Sequence, residues 1–210
     1  MPILTQKKPY VIGIAGGSGA GKTFIIDKIK HHMKNCDVVC LQHDWYYKHN
    51  PHLSSLERDT INYDHPNALE TDLLAAHVEK LSAGHPIQAP QYDFNTHLRK
   101  PEPISIQPAQ LIIIDGILIF THKPLRQLID LKIYVDTEPD IRFTRRMERD
   151  IKTRGRTRKT VKNQYLQTVK PMHDMFVEPS KQYADIVISN NYFNETDFLY
   201  LVKEIRQTFF

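Results

Sequence analysis

The stretch "GGSGAGKT", Gly16 to Thr23, follows the apolar run 10–15 and precedes a helical pattern. It fits G-x-x-x-x-G-K-[ST], and its place between a strand and a helix gives the pattern its meaning. Glycines let such a loop turn its N–H groups onto phosphate oxygens, and the helix N-terminus adds a favourable dipole. The predicted nucleotide-binding residues are Gly16, Gly17, Ser18, Gly19, Ala20, Gly21, Lys22 and Thr23. Lys22 would reach the β- and γ-phosphates, and the Thr23 hydroxyl would ligate Mg²⁺. A dinucleotide fingerprint fails, because G-x-G-x-x-G read from Gly17 puts Lys22 where the third glycine belongs.

Strand-like apolar runs recur at 10–15, 37–41, 110–115, 131–135 and 186–189. Helical patterns fill most gaps, at 21–33, 66–82, 138–152, 160–176 and 195–208. This alternation reads as α/β, and nearly continuous runs such as "LIII" suit a parallel sheet covered on both faces. Pro66 suits the first turn of its helix and Gly84 its stop, whereas Pro171 is expected to kink or shorten the fourth helix. Residues 86–108 hold five prolines and the aromatic stretch "QYDFNTHLRK", which reads as an inserted hairpin lobe. The expectation is one domain, 1–210, with a P-loop NTPase-type parallel sheet flanked by helices.

Composition agrees: 210 residues, 40% apolar and 25% charged, suit a single soluble core. The stretch before the first strand lacks an apolar leader, and the longest apolar run, 111–120, is broken by Asp115. A cytoplasmic protein without membrane association is predicted. Cys36 and Cys40 have no Cys/His partners for zinc and are expected as buried strand thiols without a disulfide. The net charge of +4 is concentrated: residues 142–162 carry ten Lys/Arg and two acids, leaving the rest at −4. A nucleic-acid binder would spread its charge, whereas clustered arginine suits a compact triphosphate, so no nucleic-acid partner is predicted.

Arg142, Arg146 and Arg149 follow i, i+4, i+7 on a predicted helix, with Arg145 and Lys152 beside them. Arg154 and Arg156 flank Gly155, which ends the pattern; 153–160 reads as a lid over the γ-phosphate. Two acids end apolar strands. Asp115, in "LIIIDG", would serve Mg²⁺, directly or through water. Asp44, in "HDWYYKHN", follows the second strand, at the edge where ligands collect in open α/β sheets. There it could orient an attacking hydroxyl and take its proton.

The P-loop together with "HDWYYK", "NYDHPNALE", "YDFNTHLRK", "IIIDGIL", "VDTEPDIRFTRRMERDIKTRGR", "NQYLQTVKPM" and "EPSKQYADIVI" resembles the uridine kinase family of P-loop kinases, in order from about residue 10 to 189. The resemblance implies ATP or GTP as donor with Mg²⁺, and the 5′-hydroxyl of uridine or cytidine as acceptor, in pyrimidine salvage. It implies Asp44 as general base with Tyr47 beside the nucleoside. Asp64 and Arg146 would hold the ribose hydroxyls, and Tyr92 and His97 would read the pyrimidine. Phe94 and Tyr63 would stack or pack, Gln164 and Arg156 would lie near the base, and Arg149 and Arg154 would face the phosphates with Lys22. A homotetramer is also implied. Phosphoribulokinase- and pantothenate-kinase-like acceptors share the loop, but acids, rings and one histidine suit a neutral acceptor. This sequence departs from the family in having Asp115 where Glu is usual, the bulkier Trp45, and "SNNYF" in place of Pro-Arg-Gly after the last strand.

Overall fold

A computed structural model describes residues 8–209, so the leader reading of residues 1–7 lies outside it. Five parallel strands build the central sheet. β1 (Tyr10–Ala15) leads through the P-loop into α1 (Lys22–His32), and β2 (Val38–Gln42) follows. Short α2 (Ser55–Asp59) and α3 (Thr71–Ser82) precede a small lobe of β3 (Ile87–Ala89), β4 (Tyr92–Asp93), β5 (Leu98–Arg99) and β6 (Ile104–Ile106). The chain then returns to the sheet as β7 (Leu111–Asp115), followed by α4 (Lys123–Gln127), β8 (Leu131–Asp136), α5 (Pro139–Arg154), α6 (Arg158–Gln164), β9 (Ile186–Ser189) and a C-terminal helix, Glu195–Phe209. The strand order is β2-β7-β1-β8-β9.

Alternate residues explain why both faces must be covered. On β1 and β7, Val11, Ile112 and Ile114 pack toward α3 and α4, while Ile12, Ile14 and Ile113 pack toward α1 and the C-terminal helix; all six are fully buried. Truncating any of the five isoleucines to alanine should cost about 2–5 kcal/mol, since neither side can collapse freely.

The inserted lobe is present as two nested antiparallel pairs, β3 with β6 and β4 with β5. Three local expectations are corrected. The helix expected over 66–82 is broken: a 3₁₀ turn, Pro66–Ala68, is separated from α3 because the Leu69–Glu70 backbone pairs with the Asp44 loop. Glu70 N–H donates to Tyr46 O at 2.8 Å, and Lys48 N–H to Ala68 O at 2.9 Å. Pro171 does not shorten its helix; α6 runs on through two π turns, Tyr165–Val169 and His173–Val177, as far as Ser180. Such wider turns absorb the N–H that proline lacks. Finally, Cys36 lies in the turn before β2 rather than in the strand; both thiols are free and half-buried, and of the two Cys40 packs against the core.

Candidate functional site

Register brings the two strand-end acids to the phosphate loop. Ile14 of β1 lies opposite Asp115 of β7, and Gln42 of β2 lies opposite Asp115 on the other side. The loop starting at Gly16, the Asp115 carboxylate and Asp44, two residues beyond Gln42, therefore converge at one sheet edge. A 3₁₀ turn, His43–Tyr46, carries Asp44. It is fixed by His43 Nε2 against Thr71 Oγ1 at 3.0 Å and by Tyr46 Oη against His77 Nδ1 at 2.9 Å. Trp45 packs against the core beneath it.

The loop needs its glycines. Gly19 has φ 83°, and a Cβ there would lie 2.3 Å from the Arg142 carbonyl oxygen; at Gly16, φ 140°, the Val135 carbonyl would be 2.4 Å away. Lys22 Nζ donates to Gly16 O at 3.0 Å and to Gly17 O at 3.4 Å. Burial lowers the Lys22 pKa, against the opposing pull of Asp115 and Asp44. Gly19, Gly21, Lys22, Thr23, Asp44 and Asp115 line a cavity of about 360 Å³, and Arg145, Arg149 and Arg154 border it. Asp115 Oδ1 is buried without a hydrogen-bond partner. Burial pushes its carboxyl up to about 6; Lys22 opposes this, and the like charge of Asp44 adds to it. An orphaned carboxylate oxygen in a cavity that a threonine also lines fits a hard cation. Among the described residues no three His, Cys, Asp or Glu cluster to hold a metal. That is compatible with Mg²⁺, which keeps several waters and takes few protein ligands.

A second cleft adjoins the first. Asp44, Phe94, Ile117, Arg149 and Arg154 line both, so Asp44 stands at their junction. The far wall of this cleft is aromatic. Tyr47 lies 5.2 Å from Tyr63 and 5.0 Å from Tyr92, ring centre to ring centre, and Phe94 meets Tyr92 edge-on at 5.4 Å. Tyr63 stacks on His97 at 4.6 Å with planes 11° apart. His97, at the lobe tip, has φ 55°, and its Nδ1 is 3.4 Å from Tyr92 Oη. A histidine held in left-handed backbone is strained, which motivates a functional reading. Burial and the Arg156 charge lower the His97 pKa, keeping its ring neutral. Burial raises the phenols of Tyr47 and Tyr92, so both remain hydroxyl donors.

Asp64, 7% exposed, lies in the same cleft; burial raises its pKa and Arg146 pulls it back. Arg146 donates to Ser18 Oγ at 2.8 Å and to Gln164 Oε1 at 3.1 Å, and Arg156 donates to the same Gln164 oxygen at 2.5 Å. Arg154 lies over the Phe94 ring, 4.5 Å from its centre. Of the predicted site residues, all but Gly16, Gly17 and Ala20 line one or both clefts; Ala20 is fully buried in the core, and Ser18, expected on the phosphates, lines the second cleft. The i, i+4, i+7 arginine set divides. Arg142 is buried away from both clefts, donating to Thr137 O at 2.9 Å, whereas Arg145 borders the phosphate cavity. Sequence reasoning missed Ile117 and the fully buried Asp150; the latter's i, i+4 spacing to both Arg146 and Arg154 was the available signal.

The family model described as "Phosphoribulokinase / Uridine kinase family" matches residues 11–197. The chain belongs to this family. Among members of the phosphoribulokinase / uridine kinase family, a uridine kinase of Geobacillus kaustophilus is 48% identical over 200 residues, covering 95% of each chain. A uridine kinase of Clostridium perfringens is 45% identical over 202 residues, covering 96% of this chain and 97% of the relative. The crystal structure of a putative fructose transport system kinase from Silicibacter superposes with a TM-score of 0.71 at 15% identity, covering 88% of this chain and 92% of that one. That likeness shows the shared fold. No helix among the described residues is long and apolar enough to cross a membrane.

Proposed function

We propose that this protein transfers the γ-phosphoryl group of ATP or GTP to the 5′-hydroxyl of uridine or cytidine, giving UMP or CMP. The observation that carries the reading is Asp44, which lines both the phosphate cavity and the aromatic cleft. A base for this reaction must touch the acceptor hydroxyl and face the γ-phosphate at once. The names of the relatives at 45–48% identity support the acceptor class.

In this reading the P-loop and Lys22 hold the donor phosphates, and Arg149 and Arg154 stabilise charge as it passes between the clefts. Asp44 takes the 5′-hydroxyl proton. Asp64 accepts from the vicinal ribose hydroxyls, and Arg146 sits across from it. The neutral His97 ring can donate or accept according to tautomer, which suits both O4 of uracil and N4 of cytosine. Tyr92 joins it in reading the base, and Tyr47, Tyr63 and Phe94 supply ring faces. Gln164 and Arg156 close the polar side. Thr23 and Asp115 would hold Mg²⁺, which when bound draws charge from the phosphate oxygens. The motion of 153–160 as a lid, a cytoplasmic role in pyrimidine salvage and a homotetramer belong to the same proposal, on the family resemblance.

Incubation with Mg-ATP or Mg-GTP and a panel of nucleosides, phosphorylated sugars and pantothenate tests it. UMP and CMP are expected products. Turnover of another acceptor without them would overturn the assignment.

A further inference from the structure

α5 carries one carboxylate that faces inward. Asp150 is fully buried, yet its surroundings are cationic rather than apolar. Arg149 grips Oδ1 twice, with Nε at 2.9 Å and the terminal nitrogen at 2.8 Å. Arg154 approaches the same oxygen at 3.6 Å. Oδ2 lies 3.5 Å from Arg146 Nε and 4.0 Å from Arg156, neither of which makes a hydrogen bond to it. Among the described residues no second carboxylate comes within salt-bridge distance of these four guanidiniums. The Asp150 backbone contributes as well: its carbonyl accepts the N–H of Gly155 and, at 3.2 Å, that of Arg156. One residue therefore fixes the turn that carries the second pair of arginines and pairs with all four heads.

Stability alone does not account for this arrangement. A buried ion cluster is generally no better for stability than apolar residues of the same volume, because desolvation consumes its Coulombic gain. Gly155, with φ 61°, already ends the helix in the way helix ends require. What the acid does supply is countercharge where Arg149 and Arg154 line both clefts and Arg146 and Arg156 line the aromatic one. Without it the four cations would repel one another before any phosphate arrived. Catalytic cations act best when already held in place, so that no reorganisation is needed as charge develops.

We propose that Asp150 is a positioning residue for phosphoryl transfer, holding Arg146, Arg149, Arg154 and Arg156 around the junction of the two clefts. The proposal rests on the reading of those clefts as donor and acceptor sites. The geometry is uneven, and that gives it a signature. Arg149, which lines both clefts, is held by two short contacts, whereas Arg146, which lines only the acceptor cleft, keeps its bonds to Ser18 and Gln164 whether or not Asp150 is charged. Loss of the charge should therefore fall on kcat more than on acceptor KM.

The test compares Asp150→Asn with the parent enzyme and places it in a double-mutant cycle with Arg149→Met. Expected are a kcat lowered at least tenfold, an acceptor KM within threefold, and a double-variant loss well short of the product of the single losses. A folded Asp150→Asn enzyme with kcat within twofold, or losses that multiply, would overturn the proposal. If Asp150→Asn does not fold, Asp150→Glu carries the test, with a kcat at least fivefold lower expected and parental kinetics contradicting it. Failure of both variants to fold would make Asp150 structural and would also overturn the proposal. If the parent turns over an acceptor other than uridine or cytidine, the acceptor assignment fails, and the Asp150 comparison is decided with that acceptor instead.

Discussion

Arg146 donates to Ser18 Oγ at 2.8 Å, joining helix α5 to the phosphate loop across 128 residues of sequence. The same guanidinium reaches Gln164 and faces the buried Asp64. Donor loop and acceptor cleft are therefore linked through one side chain. Arg146→Met should remove charge-assisted hydrogen bonds worth about 1.5–3 kcal/mol each, so kcat/KM for the nucleoside should fall by roughly ten- to a hundredfold. Steady-state kinetics at saturating donor checks this, and a loss under threefold would mean that Arg146 does not engage the acceptor.

Phe94 meets the same constellation from the lobe. Its ring carries the Arg154 guanidinium, an interaction worth about 0.5–2 kcal/mol. Phe94→Leu keeps the bulk of an apolar side chain and removes the π face. The expected outcome is a three- to thirtyfold lower kcat/KM for the nucleoside with thermal stability nearly unchanged, read by kinetics and a melting curve on the same sample.

The phosphate loop has little room at Gly19. Gly19→Ala combines a left-handed φ with a Cβ 2.3 Å from the Arg142 carbonyl, so the loop must shift. Calorimetric titration with Mg-ATP should show affinity at least tenfold weaker. Uridine binding in the absence of donor should stay within threefold, because all of the aromatic cleft except Ser18 is built from other segments.

His173 predicts a pH dependence. Burial, with the Arg142 charge beside it, lowers its pKa from 6.5 to about 4. Between those values the unfolded chain takes up a proton that the folded chain refuses, so stability falls as the pH drops from 6.5 toward 4. His173 contributes up to roughly 3 kcal/mol to that fall. Urea unfolding of His173→Gln at pH 7 and pH 4.5 should show a difference smaller by about 1–3 kcal/mol than in the parent. An identical difference would show that another group is responsible.

Much of this was readable from the chain because its signals are local. The P-loop needs glycines at fixed spacing, and strands buried on both faces are continuous apolar runs; three of the five strand bounds fell within a residue at each end and two matched outright. Asp44 and Asp115 were recognisable because each follows such a run. The failures came where distant backbone decides. Nothing near Pro66 signals that Leu69 and Glu70 will pair with the Asp44 loop, and nothing near Pro171 signals a π turn. The arginine helix misled in another way. Its periodicity put Arg142 with Arg146, but Arg142 is drawn to the Thr137 carbonyl, and the organising acid Asp150 read as one charge in a basic run.

The most direct test of the account is the rate of phosphoryl transfer by Asp44→Asn, an isosteric change at the junction of the two clefts. Loss of a positioned general base should lower kcat by about a hundred- to ten-thousandfold. Mg-ATP affinity, held by the P-loop, should stay within a fewfold of the parent. A folded Asp44→Asn enzyme that forms UMP from uridine within tenfold of the parent rate would contradict the assignment of Asp44 as the base.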